Sequence, residues 1–155
     1  MNESDFLRSV TRLLPDEVYY EKNHNPYHGG TPDLYIEGPA GVAWIEGKHF
    51  LTWPRTLDLT HSALTRLQQD WLSRAHYHGI NCAVLVGCQQ HGLLLQGRTA
   101  WTTPITREDF LAQRQTRAEL ADQITRMVTH VETRPCAAHR AGDSSHSQPG
   151  EAQTT

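Results

Sequence analysis

The chain has 155 residues, a hydrophobic fraction of 37% and a formal net charge of -3 at pH 7. This length suits one domain with its own hydrophobic core and some additional chain. No apolar run approaches the ~20 residues that a membrane-spanning helix needs, and the N-terminus lacks the basic and apolar pattern of a secretory signal. We therefore expect a cytoplasmic protein without membrane contact.

Cysteine content and local charge refine this expectation. The three cysteines, Cys82, Cys88 and Cys136, form no disulfide framework and favour a reducing compartment. The net negative charge argues against an extended nucleic-acid surface, because phosphate contacts usually leave a basic footprint. Residues 38–107 nevertheless contain more basic than acidic side chains: Lys48, Arg55, Arg66, Arg74, Arg98 and Arg107 against Glu46, Asp58 and Asp70.

The first predicted element is an amphipathic helix over residues 3–14, which Pro15 ends. Its apolar side chains recur at helical spacing: Phe6, Leu7, Val10, Leu13 and Leu14. Glu3 extends this stripe at its N-terminal end, where a carboxylate also favours the positive end of the helix dipole. Whether Glu3 serves only the helix or also reaches a functional site stays open at this point.

Residues 17–22 predict a first strand, and residues 23–30 form a turn-rich loop behind it. Lys22 at the end of the strand and His28 in the loop are candidates for contact with a phosphate backbone. The simpler interpretation of each is a polar residue that helps the chain to bend.

Two further strands, residues 31–36 and 42–47, are predicted to form a hairpin around a four-residue turn at residues 38–41. If the turn closes symmetrically, Glu37 faces Val42 and Asp33 lies opposite Glu46. Directly opposed residues have Cβ atoms about 4.5–5.5 Å apart. Because strand side chains alternate, Lys48 lies on the same face as Glu46.

Two carboxylates this close repel each other, and one lysine compensates them only in part. A divalent cation such as Mg²⁺ would resolve the conflict, because carboxylate oxygens are its preferred protein ligands. A metal-bound water beside a lysine is a source of a nucleophile for phosphodiester hydrolysis. The alternative is an exposed hairpin with a solvated acid–lysine cluster, which is common on strands.

Residues 50–60 have no clear period and are expected to cross the surface. Trp53 and Arg55 within them form either a DNA-facing rim or a packed loop. Residues 62–76 predict a helix, capped by Thr60 or Ser62, with Gln68 beside its buried stripe. That stripe comprises Leu64, Leu67, Trp71, Leu72 and Ala75. A buried Gln needs hydrogen-bond partners, so Gln68 makes either a local bond or a bond to the strands.

Residues 81–88 are almost continuously apolar and predict a central strand covered on both faces, and residues 92–97 predict its neighbour. A hairpin followed by a parallel crossover indicates a mixed α/β layer. Thr106 is predicted to open a last helix, residues 106–132, with Asp109 as its cap partner. This helix packs either on the core, residues 1–105, or on a dimer partner. The polar composition of residues 133–155 predicts a disordered tail.

Three segments together resemble the PD-(D/E)XK nuclease superfamily: Thr31-Pro32-Asp33, Trp44-Ile45-Glu46-Gly47-Lys48, and the helix sequence LQQDWL around Gln68. The pattern is similar to small phage-type VRR-NUC and Holliday-junction-resolvase-like endonucleases, and it covers residues 3–97. The resemblance implies a restriction-endonuclease-like αβββαβ core, a mixed central sheet flanked by helices, followed here by an extra C-terminal helix. If the protein is phage-encoded, it would act in the host cytoplasm.

The resemblance also implies roles for individual residues. Asp33, Glu46 and the carbonyl of Gly47 would bind Mg²⁺, for which Mn²⁺ is expected to substitute, and Glu3 would help to hold a second metal. Lys48 would orient the attacking water, and Gln68 would position the water or the phosphate. The candidate DNA contacts are Lys22, His28, Arg55 and Arg66.

The function expected from this resemblance is Mg²⁺-dependent endonucleolytic cleavage of DNA, selective for branched structures and carried out by a homodimer. Two alternatives stay open. One is a nickase or general DNA-degrading nuclease, and the other is a non-catalytic module that binds nucleic acid or protein on a nuclease scaffold.

Overall fold

The structure is a computed structural model that describes residues 1–25 and 27–130. The predicted disordered tail lies outside the described residues. In chain order the elements are α1 (Glu3–Thr11), β1 (Tyr19–Lys22), β2 (Leu34–Gly38), β3 (Gly41–Phe50), β4 (Thr56–Leu57), α2 (Leu59–Ser62), α3 (Arg66–Tyr77), β5 (Asn81–Cys88), β6 (His91–Gln96), α4 (Arg98–Thr102), β7 (Ile105–Thr106), α5 (Arg107–Gln113), β8 (Gln115–Thr116) and α6 (Arg117–Thr129).

The main sheet has six strands in the order β1-β2-β3-β5-β6-β8. The β3–β5 pair is parallel, and the chain crosses over between them through α2 and α3. The other neighbours pair antiparallel, and β4 and β7 form a separate small sheet. This mixed sheet, flanked by helices and followed by a C-terminal helix, confirms the predicted restriction-endonuclease-like fold class.

Two hydrophobic cores cover the two faces of the sheet. On one face α1 and α6 pack against the strands through residues such as Phe6, Ile45 and Ile124. On the other face α3 and the following segments pack through Leu72, Trp101 and their neighbours. Strand β5 contributes to both cores, which explains its nearly continuous apolar sequence.

The helix predicted over residues 62–76 begins later, at Arg66. Neither Thr60 nor Ser62 caps it, because Thr65 does so in a capping box with Gln68. The preceding residues form the short helix α2, capped by Asp58. Leu67 is 57% exposed rather than part of a buried stripe, and it lies against Gly29 and Gly30 of the loop before β2.

The segment predicted as one helix over residues 106–132 contains two helices. Thr106 caps α5 by accepting the Asp109 amide as expected, but Thr116 opens a second helix in a capping box with Glu119. Between them β8 adds two residues to the edge of β6, which breaks the helical path. Of the two packing alternatives, the structure shows α6 on the core, where Leu120 and Ile124 are fully buried.

Smaller differences concern element ends. The first helix stops at Thr11. The next turns are of the 3₁₀ type, because the amides of Leu13 and Leu14 donate to the carbonyls three residues earlier, those of Val10 and Thr11. Within the described part of the chain, no helix combines the length and apolarity that crossing a bilayer requires.

Candidate active site

The β2–β3 hairpin has the predicted register. Glu37 pairs with Val42, and Leu34 pairs with Ile45. The turn is tighter than expected, because Gly38 and Gly41 also pair and only Pro39 and Ala40 form the loop. The same register continued by one residue sets Asp33 beside Glu46.

Asp33 lies just before β2 and is held from two sides. Its Oδ2 accepts a hydrogen bond of 2.8 Å from the Gly47 amide on β3. Its own carbonyl accepts the Asn23 amide at 2.7 Å, while the Asn23 side chain donates to the Pro32 carbonyl at 3.2 Å. Asn23 thus closes the loop that carries Asp33. The sequence analysis did not select this residue, although an Asn at the start of a turn-rich segment is a signal for a loop-closing side chain.

Glu46 is the buried acid of the cluster, with 1% of its surface exposed. Its Oε1 accepts hydrogen bonds from Lys48 Nζ at 2.7 Å and from the Gln68 amide. Its Oε2 is buried and has no hydrogen-bond partner among the described residues. Burial, reinforced by the negative charge of Asp33, raises the pKa of Glu46 to about 7 although Lys48 opposes this shift.

Lys48 connects the cluster to α1. Its ammonium lies 4.0 Å from Glu3 Oε2, and the side chain is only 15% exposed. Glu3 itself is half-buried, and this burial raises its pKa; Lys48 lowers it and Asp33 raises it further. The N-cap of α1 is Asn2, which forms a capping box with Asp5, so Glu3 is not needed to cap the helix.

Gln68 is held at both ends of its amide. Its Oε1 accepts the Thr65 backbone N–H at 2.9 Å, and its Nε2 donates to Glu46. One residue therefore ties the first turn of α3 to the centre of β3. The neighbouring Gln69 donates instead to the carbonyls of Thr60 and Leu64.

The four candidate DNA contacts differ in their surroundings. Lys22 donates to Ser4 Oγ at 2.7 Å and lies near enough to Glu3 to lower its pKa. Arg66 pairs with Asp70 on the exposed side of α3 at 3.3 Å. His28 and Arg55 are exposed, and neither makes a hydrogen bond or ion pair to the acids within the described residues.

Trp53 does not form a DNA-facing rim. It is 3% exposed, stacks on Phe110 with ring centroids 4.0 Å apart, and donates its indole N–H to the Ile105 carbonyl at 3.3 Å. Arg107 binds the Trp53 carbonyl through two guanidinium nitrogens. Trp53 therefore packs its loop onto the second core, as the simpler of the two interpretations of the sequence predicted.

The acid pair fits a hydrated Mg²⁺ ion. Within residues 1–25 and 27–130, no three His, Cys, Asp or Glu side chains are grouped to hold a metal, so the protein would supply two carboxylates. Mg²⁺ is commonly bound by one or two carboxylates and keeps several waters. The unpartnered Oε2 of Glu46 is a buried acceptor that such an ion would satisfy.

Comparison with known proteins adds a structural likeness. No protein-family model matches the chain, and no curated protein matches it. Among solved structures, it is similar to Hjc, a Holliday junction resolvase from the archaeal hyperthermophile Archaeoglobus fulgidus. The two chains are 16% identical with a TM-score of 0.47, and the match covers 77% of this chain and 99% of that chain.

Proposed function

We propose that this protein is a metal-dependent endonuclease that hydrolyses phosphodiester bonds in DNA. The observation that supports this most directly is the buried carboxylate of Glu46. Lys48 and Gln68 hold one of its oxygens, the other has no partner among the described residues, and Asp33 lies beside it. A fold gains no stability from a charge buried in this way, so a ligand of opposite charge is the simplest explanation for it.

Asp33, Glu46 and the Gly47 carbonyl are the groups proposed to hold Mg²⁺ or Mn²⁺. When bound, the ion would lower the pKa of a coordinated water and neutralise charge on the phosphate. The hydrogen bond from the Gly47 amide orients the Asp33 carboxylate toward β3. Gln68 and Lys48 fix the Glu46 carboxylate in the same manner.

Lys48 is the cation that the protein itself contributes to the site, in addition to the proposed metal ion. Its ammonium is held on the cluster by Glu46 at 2.7 Å and approached by Glu3 at 4.0 Å. A fixed cation at this position would stabilise the negative charge that develops on the phosphate during attack. Glu3 would keep the ammonium in place, and its half-buried carboxylate would also help to hold a second metal ion.

We further propose that the substrate is branched DNA, bound by a homodimer as in a junction resolvase. The described residues form one α/β domain without a second module to read base sequence, which favours recognition of DNA shape. Lys22, His28, Arg55 and Arg66 would contact the phosphate backbone. These contacts carry no base specificity of their own.

The direct test is a cleavage assay with labelled duplex, flap and four-way DNA in the presence of Mg²⁺ or Mn²⁺. We expect cleavage by the wild type, strongest on a branched substrate. Asp33→Asn and Lys48→Met should each lower the rate at least about a hundredfold, because each removes a charge that acts in the transition state. Gln69→Ala, which changes the residue after Gln68 and removes no bond to the cluster, should retain activity.

Folding of every variant is checked by circular dichroism and thermal unfolding. Wild-type-like cleavage by Asp33→Asn or Lys48→Met would refute the assignment of these residues. Metal-independent binding of DNA without any cleavage would instead identify a non-catalytic module.

A further inference from the structure

A large groove lies at the opposite end of the sheet from the acid cluster. Its cavity volume is about 1350 Å³, above the ~300–1,000 Å³ of most small-molecule sites. It extends from the β2–β3 turn to the segment between α5 and α6, with β6 and α6 among its walls. Val42 lines it at the start of β3, four residues before Glu46, so about 13 Å of strand separates the groove from the cluster.

One wall of the groove is an unpaired strand edge. Strand β8 pairs with β6 at His91 and Gly92, and residues 93–96 of β6 continue beyond it as lining of the groove. In an antiparallel strand, alternate residues direct both their N–H and C=O groups to the same side. Such an edge, without a strand partner among the described residues, is a template for adding another strand.

The polar side chains around this edge are mostly amides. Gln96, Gln113, Gln115 and Gln123 line the groove together with Asn81, which already donates to the Met127 carbonyl. The Oε1 atom of Gln123 is buried and accepts no hydrogen bond within the described part of the chain. The amides that are exposed, such as Gln96 and Gln113, suit both groups of a peptide backbone, because each carries a donor and an acceptor.

The ionisable side chains that line the groove, apart from Cys82, are all basic. Arg126, His76 and His130 line it, and none of its described lining residues is Asp or Glu. Arg126 has no ion-pair partner among the described residues. A single arginine with two histidines is too weak a basic surface for a nucleic-acid backbone, which normally meets several Lys or Arg side chains. This small basic surface suits a ligand that carries a few carboxylates.

We propose that this groove binds an extended acidic segment of a partner protein, which adds as a strand to β6 alongside residues 93–96. Main-chain hydrogen bonds to β6 would give the affinity, as in other strand-addition complexes. Arg126 would select acidic side chains, and the exposed amides of Gln96 and Gln113 would bond the incoming backbone. This binding site is independent of the proposed nuclease activity.

The test uses the full chain and a labelled peptide in which Glu alternates with Val. Fluorescence anisotropy should show saturable binding, and hydrogen exchange should slow at residues 93–96 when the peptide is present. A peptide with every Val replaced by Pro lacks half of the backbone donors and should bind at least about tenfold more weakly. A peptide with Lys in place of Glu should not bind.

A matched pair of variants tests the role of charge. Arg126→Gln should weaken binding of the Glu–Val peptide by up to about fivefold, the usual effect of one exposed ion pair. Arg117→Gln removes the same charge from the same helix outside the groove and should bind as the wild type does. Equal effects of the two variants, or equal binding of the proline peptide, would overturn the proposal. So would occupation of the groove by a second copy, detected as self-association that the peptide does not disrupt.

Discussion

Glu46 combines an unfavourable environment with the central position of the site. Its side chain is 1% exposed, and its only cationic neighbour in the described residues is Lys48, at 2.7 Å. Burial and the nearby Asp33 leave its pKa at about 7, against a usual value of 4.5. When ionised, Glu46 destabilises the metal-free fold. Carboxylates with such strongly raised pKa values are typical of binding sites.

This reasoning predicts the stability of Glu46→Gln without metal. Because the pKa of Glu46 is raised in the folded state, the folded protein binds a proton that the unfolded chain has lost between about pH 4.5 and 7. Wild-type stability should therefore fall as pH rises through this window, with the full penalty above pH 7. The neutral variant avoids that penalty, so its free energy of unfolding should exceed that of the wild type by up to about 3 kcal/mol.

Urea unfolding in the presence of a chelator measures this difference. Near pH 4 the carboxylate is neutral in both states, and the two proteins should have similar stability. A Glu46→Gln variant that is less stable than the wild type above pH 7 would show that the charged carboxylate stabilises the fold.

Gln68 has two structural roles that two substitutions can separate. It closes the capping box with Thr65 and donates to Glu46. Thr65→Ala removes the cap and should cost about 1 kcal/mol of stability with cleavage retained. Gln68→Leu should cost a similar amount and also lower kcat, by about ten- to a hundredfold, because the Glu46 carboxylate loses its orienting bond.

Urea unfolding and single-turnover cleavage of both variants distinguish these effects. If Thr65→Ala reduces kcat as strongly as Gln68→Leu does, Gln68 acts only by starting the helix at the right residue.

At the level of elements, the site depends on how the loop before Asp33 is fixed to α3. Gly30 in this loop has φ +94, and a Cβ atom there would lie 2.4 Å from the Leu67 carbonyl oxygen. The loop backbone therefore rests directly against the first turn of α3, next to Gln68. Close packing at this point couples Asp33 and Gln68, which come from distant parts of the sequence.

Gly30→Ala should consequently damage both the fold and the site. We expect a loss of about 3 kcal/mol in unfolding free energy, from left-handed strain and the backbone clash together. Cleavage should fall at least about tenfold, because the loop that carries Asp33 must shift.

Gly97→Ala is the matched control, since Gly97 also has a positive φ, +83, but has open space around its Cβ position. It should cost about 1–3 kcal/mol, because a φ of 83 with a ψ of 149 is almost confined to glycine, and it should leave cleavage unchanged. Thermal unfolding and the cleavage assay check both variants; equal effects on cleavage would contradict the role given to the Gly30 contact.

Elements with strong local signals were predictable from the sequence. The β2–β3 register follows from a symmetric turn, and the central strand β5 from a continuous apolar run. The later start of α3 had a local signal, Thr65 followed three residues later by Gln68, which forms a capping box. The sequence analysis instead placed Gln68 within a longer helix capped by Thr60 or Ser62. The break between α5 and α6 had a signal, Thr116 with Glu119, which the longer apolar stripe obscured.

The site was predictable to the extent that it lies on one hairpin. Asp33, Glu46 and Lys48 share a face because strand alternation and register place them there. The contacts of Glu3 and Gln68 depend on helix packing, for which the sequence offers no distance. Burial of Trp53 depends on its stacking with Phe110, a residue far along the chain, and no local pattern indicates it.

In the whole molecule, opposite ends of one sheet carry the two proposed sites. The acid cluster lies toward the C-terminal end of β3, and the groove lies where β3 and β5 begin. Arg126→Gln should therefore leave DNA cleavage unaffected, and Asp33→Asn should leave peptide binding unaffected. The parallel β3–β5 pair, buried on both faces along β5, is the rigid element between them.

The central claim is that Asp33 and Glu46 together bind a divalent metal ion, and calorimetric titration with Mg²⁺ or Mn²⁺ tests it most directly. We predict saturable binding to the wild type and at least about tenfold weaker binding to Asp33→Asn, which retains the shape of the side chain without its charge. A wild-type protein that binds neither ion, or an Asp33→Asn variant that binds as tightly as the wild type, would contradict the account.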